Sequence, residues 1–239
     1  MLVLASASPR RQELLRAAGI PFEVQPAHIA EVPLTSEKPK DCAERLAREK
    51  ALAVAQKRPN DTILGADTVV VIDDQILGKP ADAPDAARML RMLSGRTHQV
   101  ITGVCLVKLV LGTQFPAPGQ NAEPVPEMRF GKGTASAVPP GATRDAALAA
   151  AVPKLDSSGE FLKRALVVSS ETTLVTMSDL TEKEISDYVA TGEPMDKAGA
   201  YAIQGIASRW IPRIEGDYGN VVGLPVALVH RMMGDLARK

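Results

Sequence analysis

The chain of 239 residues contains only two cysteines, Cys42 and Cys105. Two thiols cannot make a disulfide framework and these lack metal-site spacing, so a reducing cytoplasm is the expected setting. Aromatic residues make up 3% against 45% hydrophobic, so small aliphatics must build the core. Charge of one sign is not in excess, with 28 Lys and Arg against 28 Asp and Glu. That balance excludes a global footprint for nucleic acid or an anionic membrane, and any anion site must be local. No run of about 18 apolar residues occurs, which excludes a transmembrane helix. Met1-Leu2-Val3-Leu4-Ala5 reaches Pro9-Arg10-Arg11 too soon for the apolar stretch of an export signal, and no export is expected. His28, His98 and His230 show no metal-ligand spacing, and the Gly-x-Ser-x-Gly, Walker A and Gly-x-Gly-x-x-Gly patterns are missing.

What is present reads as one α/β domain. Leu2 to Ala5 is a short buried strand, followed by Ser8 as N-cap, Pro9 at the first helical position and Gly19 past the end of a first helix. A second helix is expected from Asp41 to Lys57, with Asp41 and Glu44 spaced as a capping box and Leu46, Ala53 and Val54 facing inward. Thr62 to Ile72 is too apolar for a half-exposed strand and belongs in the middle of a sheet. A helix capped by Asp82 and closed by Gly95, strands over Thr97–Val110 and Leu166–Met177, a Thr181/Glu184 capping box and a last helix from about Pro225 to Ala237 complete the pattern. Residues 112–159 hold seven Pro, six Gly and ten Ala, 23 of 48. So little to bury against the ordering entropy predicts a flexible insertion at a hairpin tip, with a short helix at Ala146–Ala151.

Four segments could carry chemistry. Ser6-Ala7-Ser8-Pro9-Arg10-Arg11 brings hydroxyls and guanidinium groups to a helix N-terminus, which suits an anion; the alternative is a plain cap with solvated arginines. Gly65-Ala66-Asp67-Thr68 places a carboxylate inside an apolar strand, where it needs a partner unless it marks a strand boundary. Lys50, Lys79 and Lys197 are cations whose convergence sequence position does not decide. Asp196 to Gly205 combines two glycines, an Asp-Lys pair and Gln204, as a backbone closing on a base or sugar, or as a cap and turn.

Ser6-x-Ser8-Pro9-Arg10-Arg11, Ala47-Arg48-Glu49-Lys50-Ala51, Gly65-Ala66-Asp67-Thr68-Val69, Gly78-Lys79-Pro80, Leu93-Ser94-Gly95-Arg96-Thr97-His98, Asp196-Lys197-Ala198-Gly199-Ala200-Tyr201 and Ile203-Gln204-Gly205, in that order, resemble the Maf family of nucleoside triphosphate pyrophosphatases. Gly219-Asn220-Val221-Val222-Gly223-Leu224-Pro225 fits too, and only residues 112–159 fall outside the resemblance. It implies a mixed twisted sheet with flanking helices, two lobes around a cleft as in inosine triphosphatase, and a cytoplasmic homodimer. The implied reaction is hydrolysis of a nucleoside triphosphate to the monophosphate and pyrophosphate with Mg²⁺ or Mn²⁺. Carried over by motif, Asp67 matches the proton acceptor, Arg11, Lys50 and Lys79 the phosphate-facing cations, and Arg10, Thr68 and Gln204 the specificity positions, beside Ser6 and Ser8. Glu31 matches an acidic metal-site residue, with Asp67. Pro-Arg-Arg, Ala-Asp-Thr and Ile-Gln-Gly resemble the dTTP/UTP-hydrolysing group rather than the 7-methyl-GTP group, which stays the alternative within the family. A non-catalytic regulator of septum formation that binds nucleotides or a partner is the alternative outside it.

Overall fold

The computed structural model describes residues 1–112, 154–155 and 161–238. The described residues fall into two units, one drawn from residues 1–109 with 164–238 and the other from residues 110–163. The expected insertion and its short helix lie outside the described residues, apart from Gly112 and Lys154–Leu155.

The strands are β1 (Leu2–Leu4), β2 (Glu23–Val24), β3 (Thr62–Ile72), β4 (Gln75–Leu77), β5 (Thr97–Gly112), β6 (Lys154–Leu155), β7 (Phe161–Thr176) and β8 (Arg213–Glu215). They form a mixed sheet in the order β2-β1-β3-β5-β7-β6, with β4 also on β3 and β8 on β7. β1 runs parallel to β2 and β3, whereas β4 and β5 run antiparallel to β3. The helices are α1 (Pro9–Ala17), α2 (Pro39–Ala55), α3 (Ala83–Leu93), α4 (Glu182–Ala190), α5 (Tyr218–Val222) and α6 (Val226–Ala237). A mixed sheet with flanking helices is therefore the architecture, as the resemblance implies.

β3 decides where the site falls. β5 pairs with residues 63–71 along one edge, so β1, which pairs with 62–64, and β4, which pairs with 70–72, must share the other. Among the described residues, none pairs as a strand with 65–69 on that edge, and the sheet opens there. The two faces are packed differently. On one, Gly65 and Gly103 meet α2 so closely that a Cβ on Gly65 would lie 2.1 Å from Ala47 O, and one on Gly103 would lie 2.2 Å from Ala43 O. Only glycine permits that approach. On the other, Val70, Ile72 and Val100 join the main core with Ala86, Met89, Leu90 and Leu93 of α3, spaced i, i+3, i+4, i+7 as a buried helix stripe.

Several element ends differ from the sequence pattern. α2 starts at Pro39, not Asp41, because proline at the first helical position carries its φ already set; Lys38 precedes it and makes no side-chain cap. Glu44 is not in a capping box and instead accepts from Ser170 Oγ at 2.7 Å. Ala53 is half-buried, and Ala47, Lys50 and Ala51 hold the inner side with Leu46 and Val54. β5 runs on to Gly112, and β7 starts at Phe161 and ends at Thr176. The Thr181/Glu184 capping box and the Ser8 and Asp82 caps form as the residues require. Among the described residues no helix is long and apolar enough to cross a membrane.

Candidate active site

The gap beside β3 opens into a cavity of about 450 Å³, within the range of small-ligand sites. Its wall includes every residue the motifs single out: Ser6, Ser8, Arg10 and Arg11 from the β1–α1 turn, Glu31 and Lys50, Asp67 and Thr68 on β3, and Lys79 and Gln204. These six stretches are separated along the chain, and the fold brings them together.

On the α2 face, Lys50 Nζ donates to Asp67 Oδ1 at 2.6 Å and pairs with Glu31 Oε1 at 2.7 Å. Lys50 and Asp67 are buried, 5% and 6% exposed. The glycine contacts set α2 close enough for that reach. Two carboxylates share the Lys50 ammonium, and Lys79 Nζ on the exposed rim, 3.9 Å from Glu31 Oε2, adds a second cation. Burial works to raise the Glu31 carboxyl, but the Lys50 hydrogen bond and the charges of Lys50, Lys79 and Arg11 outweigh it and hold the group below its ordinary range.

Arg11 closes the gap in the sheet edge. Its Nε donates to Gly223 O at 2.8 Å, Nη1 to Ala66 O at 2.8 Å and to Ser6 Oγ at 3.1 Å, and Nη2 to Thr68 Oγ1 at 3.1 Å. Four of the five guanidinium N–H groups thus serve protein atoms. Burial draws its pKa down, with Asp67 and Glu31 opposing, and arginine stays charged throughout. Ser6 Oγ also accepts from Ser8 N, and Ser8 Oγ caps α1 at Arg11 N.

The cavity side chains that β3 itself presents on its opposite face are uncharged. Thr68 stands there with Val70, Val100 and Tyr201, and Gln204 is exposed at the rim. The Asp196–Gly205 stretch follows one short 3-10 turn, Glu193–Asp196, and contains another, Ala198–Ala200. Its Gly199, at φ 69°, lies against Val70 where a Cβ would come within 2.9 Å of Val70 Cγ1. Asp196 sits 3.7 Å from Arg10 Nη1, and Lys197 Nζ is taken by Glu193 O at 2.6 Å and by the Asp196 carboxylate. Tyr201 is anchored from behind, its hydroxyl 2.8 Å from Nε2 of buried His98. Burial pushes His98 down to about 4 and the Tyr201 phenol up.

Tyr201, Thr102 and Asn220 contribute to this face although the chemistry motifs did not single them out by role. Thr102 sits in an apolar strand and is linked to the cavity only through its register with Thr68. Among the described residues no group of three or more His, Cys, Asp or Glu could hold a metal ion. Glu31 and Asp67 are two carboxylates on one cavity, the number a Mg²⁺ site uses when ligand phosphates and water supply the rest.

An open-edged mixed sheet with an acid, buried cations and a neutral pocket on one cavity defines a small-molecule site suited to an anionic ligand. The family model for Maf-like proteins matches residues 1–124 and 144–236, and the chain belongs to that family. A dTTP/UTP pyrophosphatase of Koribacter versatilis is 49% identical over 97% of this chain and 92% of its own length. Dittos from Symbiobacterium thermophilum and a Geobacillus strain, likewise named dTTP/UTP pyrophosphatase, are 41% and 42% identical over 97% and 95% of this chain and 92% of theirs.

Proposed function

We propose that the chain hydrolyses dTTP and UTP to the nucleoside monophosphate and pyrophosphate. The observation that carries this reading is the Glu31–Lys50–Asp67 chain, 2.7 and 2.6 Å across its two contacts, in the wall of the cavity that also holds Thr68 and Gln204. Acidic and cationic groups on one side suit a triphosphate, and a neutral side suits a base. The names of the relatives support the same substrates.

Attack of water on the α-phosphorus needs an oriented nucleophile and a charge-stabilised leaving group. Lys50 fixes Oδ1 of Asp67, so the carboxylate is aimed and its Oδ2 takes the proton from water. Lys79, exposed on the rim, and the remaining N–H of Arg11 face the growing charge on pyrophosphate. A divalent cation, Mg²⁺ or Mn²⁺, fits Glu31 and Asp67 as protein ligands; when bound it neutralises phosphate oxygens and makes water more acidic. Arg10 and Gln204 at the rim are the remaining specificity contacts. A cytoplasmic homodimer belongs to the same reading.

The test is pyrophosphate release from dTTP, UTP, CTP and 7-methyl-GTP, with and without Mg²⁺. Release from dTTP and UTP that depends on the metal is expected. Equal turnover of all four, or of none, overturns the reading.

A further inference from the structure

Thr68 and Thr102 are register partners on β3 and β5, on the sheet face away from Asp67, with their hydroxyls 2.9 Å apart. Each has a single proton. A backbone carbonyl only accepts, so the 3.1 Å contact from Thr102 Oγ1 to Asn220 O uses the proton of Thr102. Thr68 is then the donor between the two threonines. Its oxygen already accepts from Arg11 Nη2 at 3.1 Å. The reverse order gives up the bond to Asn220 O and, within the protein, leaves the Thr68 proton only Gly223 O at 3.5 Å, a poor distance, so the free protein loses one good hydrogen bond. Thr68 therefore meets the cavity with one lone pair and no proton.

The arrangement is held rigidly. Thr102 and Asn220 are both fully buried, and Asn220 Nδ2 donates to Val100 O at 2.9 Å and to Thr173 Oγ1 at 3.0 Å. The Asn220 carbonyl is thereby kept over Thr102, and no solvent reaches Thr102 to offer its proton another acceptor.

We infer that Thr102 is a positioning residue that locks the Thr68 hydroxyl as an acceptor, and that the ligand group Thr68 takes is the imide N–H of uracil or thymine. This rests on the proposed pyrimidine triphosphatase reading. Cytosine carries a lone pair at the same ring position, so lone pair would face lone pair and both would stay unpaired. Val70, Val100 and Tyr201 beside Thr68 suit a ring. A sugar hydroxyl is the other donor in such a ligand, and the test separates the two.

Pyrophosphate release is measured with UTP, CTP, 3-methyl-UTP and 3′-deoxy-UTP for the parent, Thr102→Val and Thr102→Ser. In the parent, kcat/KM for CTP and 3-methyl-UTP falls about 30-fold or more below UTP, and 3′-deoxy-UTP matches UTP. Thr102→Val frees the Thr68 proton to turn to the ligand, so the UTP to CTP ratio drops about tenfold, while Thr102→Ser keeps the parent ratio. An unchanged ratio in Thr102→Val, a changed one in Thr102→Ser, or a loss confined to 3′-deoxy-UTP overturns the inference. If Thr102→Val does not fold, Thr68→Val replaces it: the ratio approaches one, and a parent-like ratio overturns the inference. A parent that hydrolyses none of the triphosphates defeats the functional reading itself; one that uses UTP and CTP equally defeats only the assignment of Thr102.

Discussion

The two faces of β3 are built on opposite principles. Toward α2, Asp67 is held by a buried ammonium, and the helix is close because Gly65 and Gly103 have no side chains to keep it away. Away from α2, Thr68, Thr102 and Asn220 form a neutral chain of hydrogen bonds, backed by the His98–Tyr201 pair. Adjacent residues of a strand point to opposite faces, so Asp67 and Thr68 reach one cavity only because, among the described residues, none pairs as a strand with 65–69 on that edge. A single strand with a gap beside it can thus present charge and neutral polarity to two ends of the same ligand.

The largest effect expected from breaking this division comes from Asp67→Asn. The amide cannot accept a proton from water, and kcat falls about 10²- to 10⁴-fold, with the circular dichroism spectrum kept. Turnover at the parent rate would remove Asp67 from the proton-accepting role. Gly65→Ala attacks the geometry instead. Its methyl would sit 2.1 Å from Ala47 O and 2.8 Å from Ala51 N, backbone atoms that move only with the helix, so a loss of about 1–3 kcal/mol is expected in urea unfolding. Lys50 should move off Asp67 with α2, and kcat should fall while the UTP to CTP preference, set on the other face, holds.

An effect that leaves activity at neutral pH untouched and shows only on acidification sharpens the neutral side. Burial lowers His98 from 6.5 to about 4, so between those values the unfolded chain binds a proton that the folded chain does not. Stability from this group is complete above the unfolded pKa and is lost as pH falls through 6.5 toward 4, by about 1.4 kcal/mol per pH unit at the steepest. Carboxylates contribute in the same window, so the parent is compared with His98→Gln by urea unfolding at pH 4.5, 5.5 and 7. A variant with the parent's pH slope would show that His98 is not the source of this dependence.

Much of this is legible in order along the chain. β3 could be bounded at Thr62 and Ile72 because eleven residues so rich in Val and Ile fit only a buried strand. Thr181 and Glu184 announce their capping box because the interaction is local. α2 is less legible at its start, where Asp41 and Glu44 have the right spacing for a cap but Pro39 begins the helix earlier. Asp67 advertises its need for a partner, since an acid in an apolar run is costly alone. The identity of that partner is not local: Lys50 is 17 residues away and is chosen by the packing of α2 on Gly65. Arg11 reads as a cation for an anion, and the fold commits most of its donors to its own backbone and hydroxyls.

Composition and local pattern, by themselves, determined the α/β class, the strand that carries the acid and the set of residue types suited to a phosphorylated ligand. These follow from short-range forces: alternation, capping and the cost of burying charge. Tertiary structure alone decided that β1 and β4 stop short of each other along β3, that Lys50 rather than Lys79 is the buried ammonium, and which way the hydroxyl of Thr68 points. Each depends on residues far apart in the chain, and the proton of Thr68 has a direction only once Thr102 and Asn220 lie beside it.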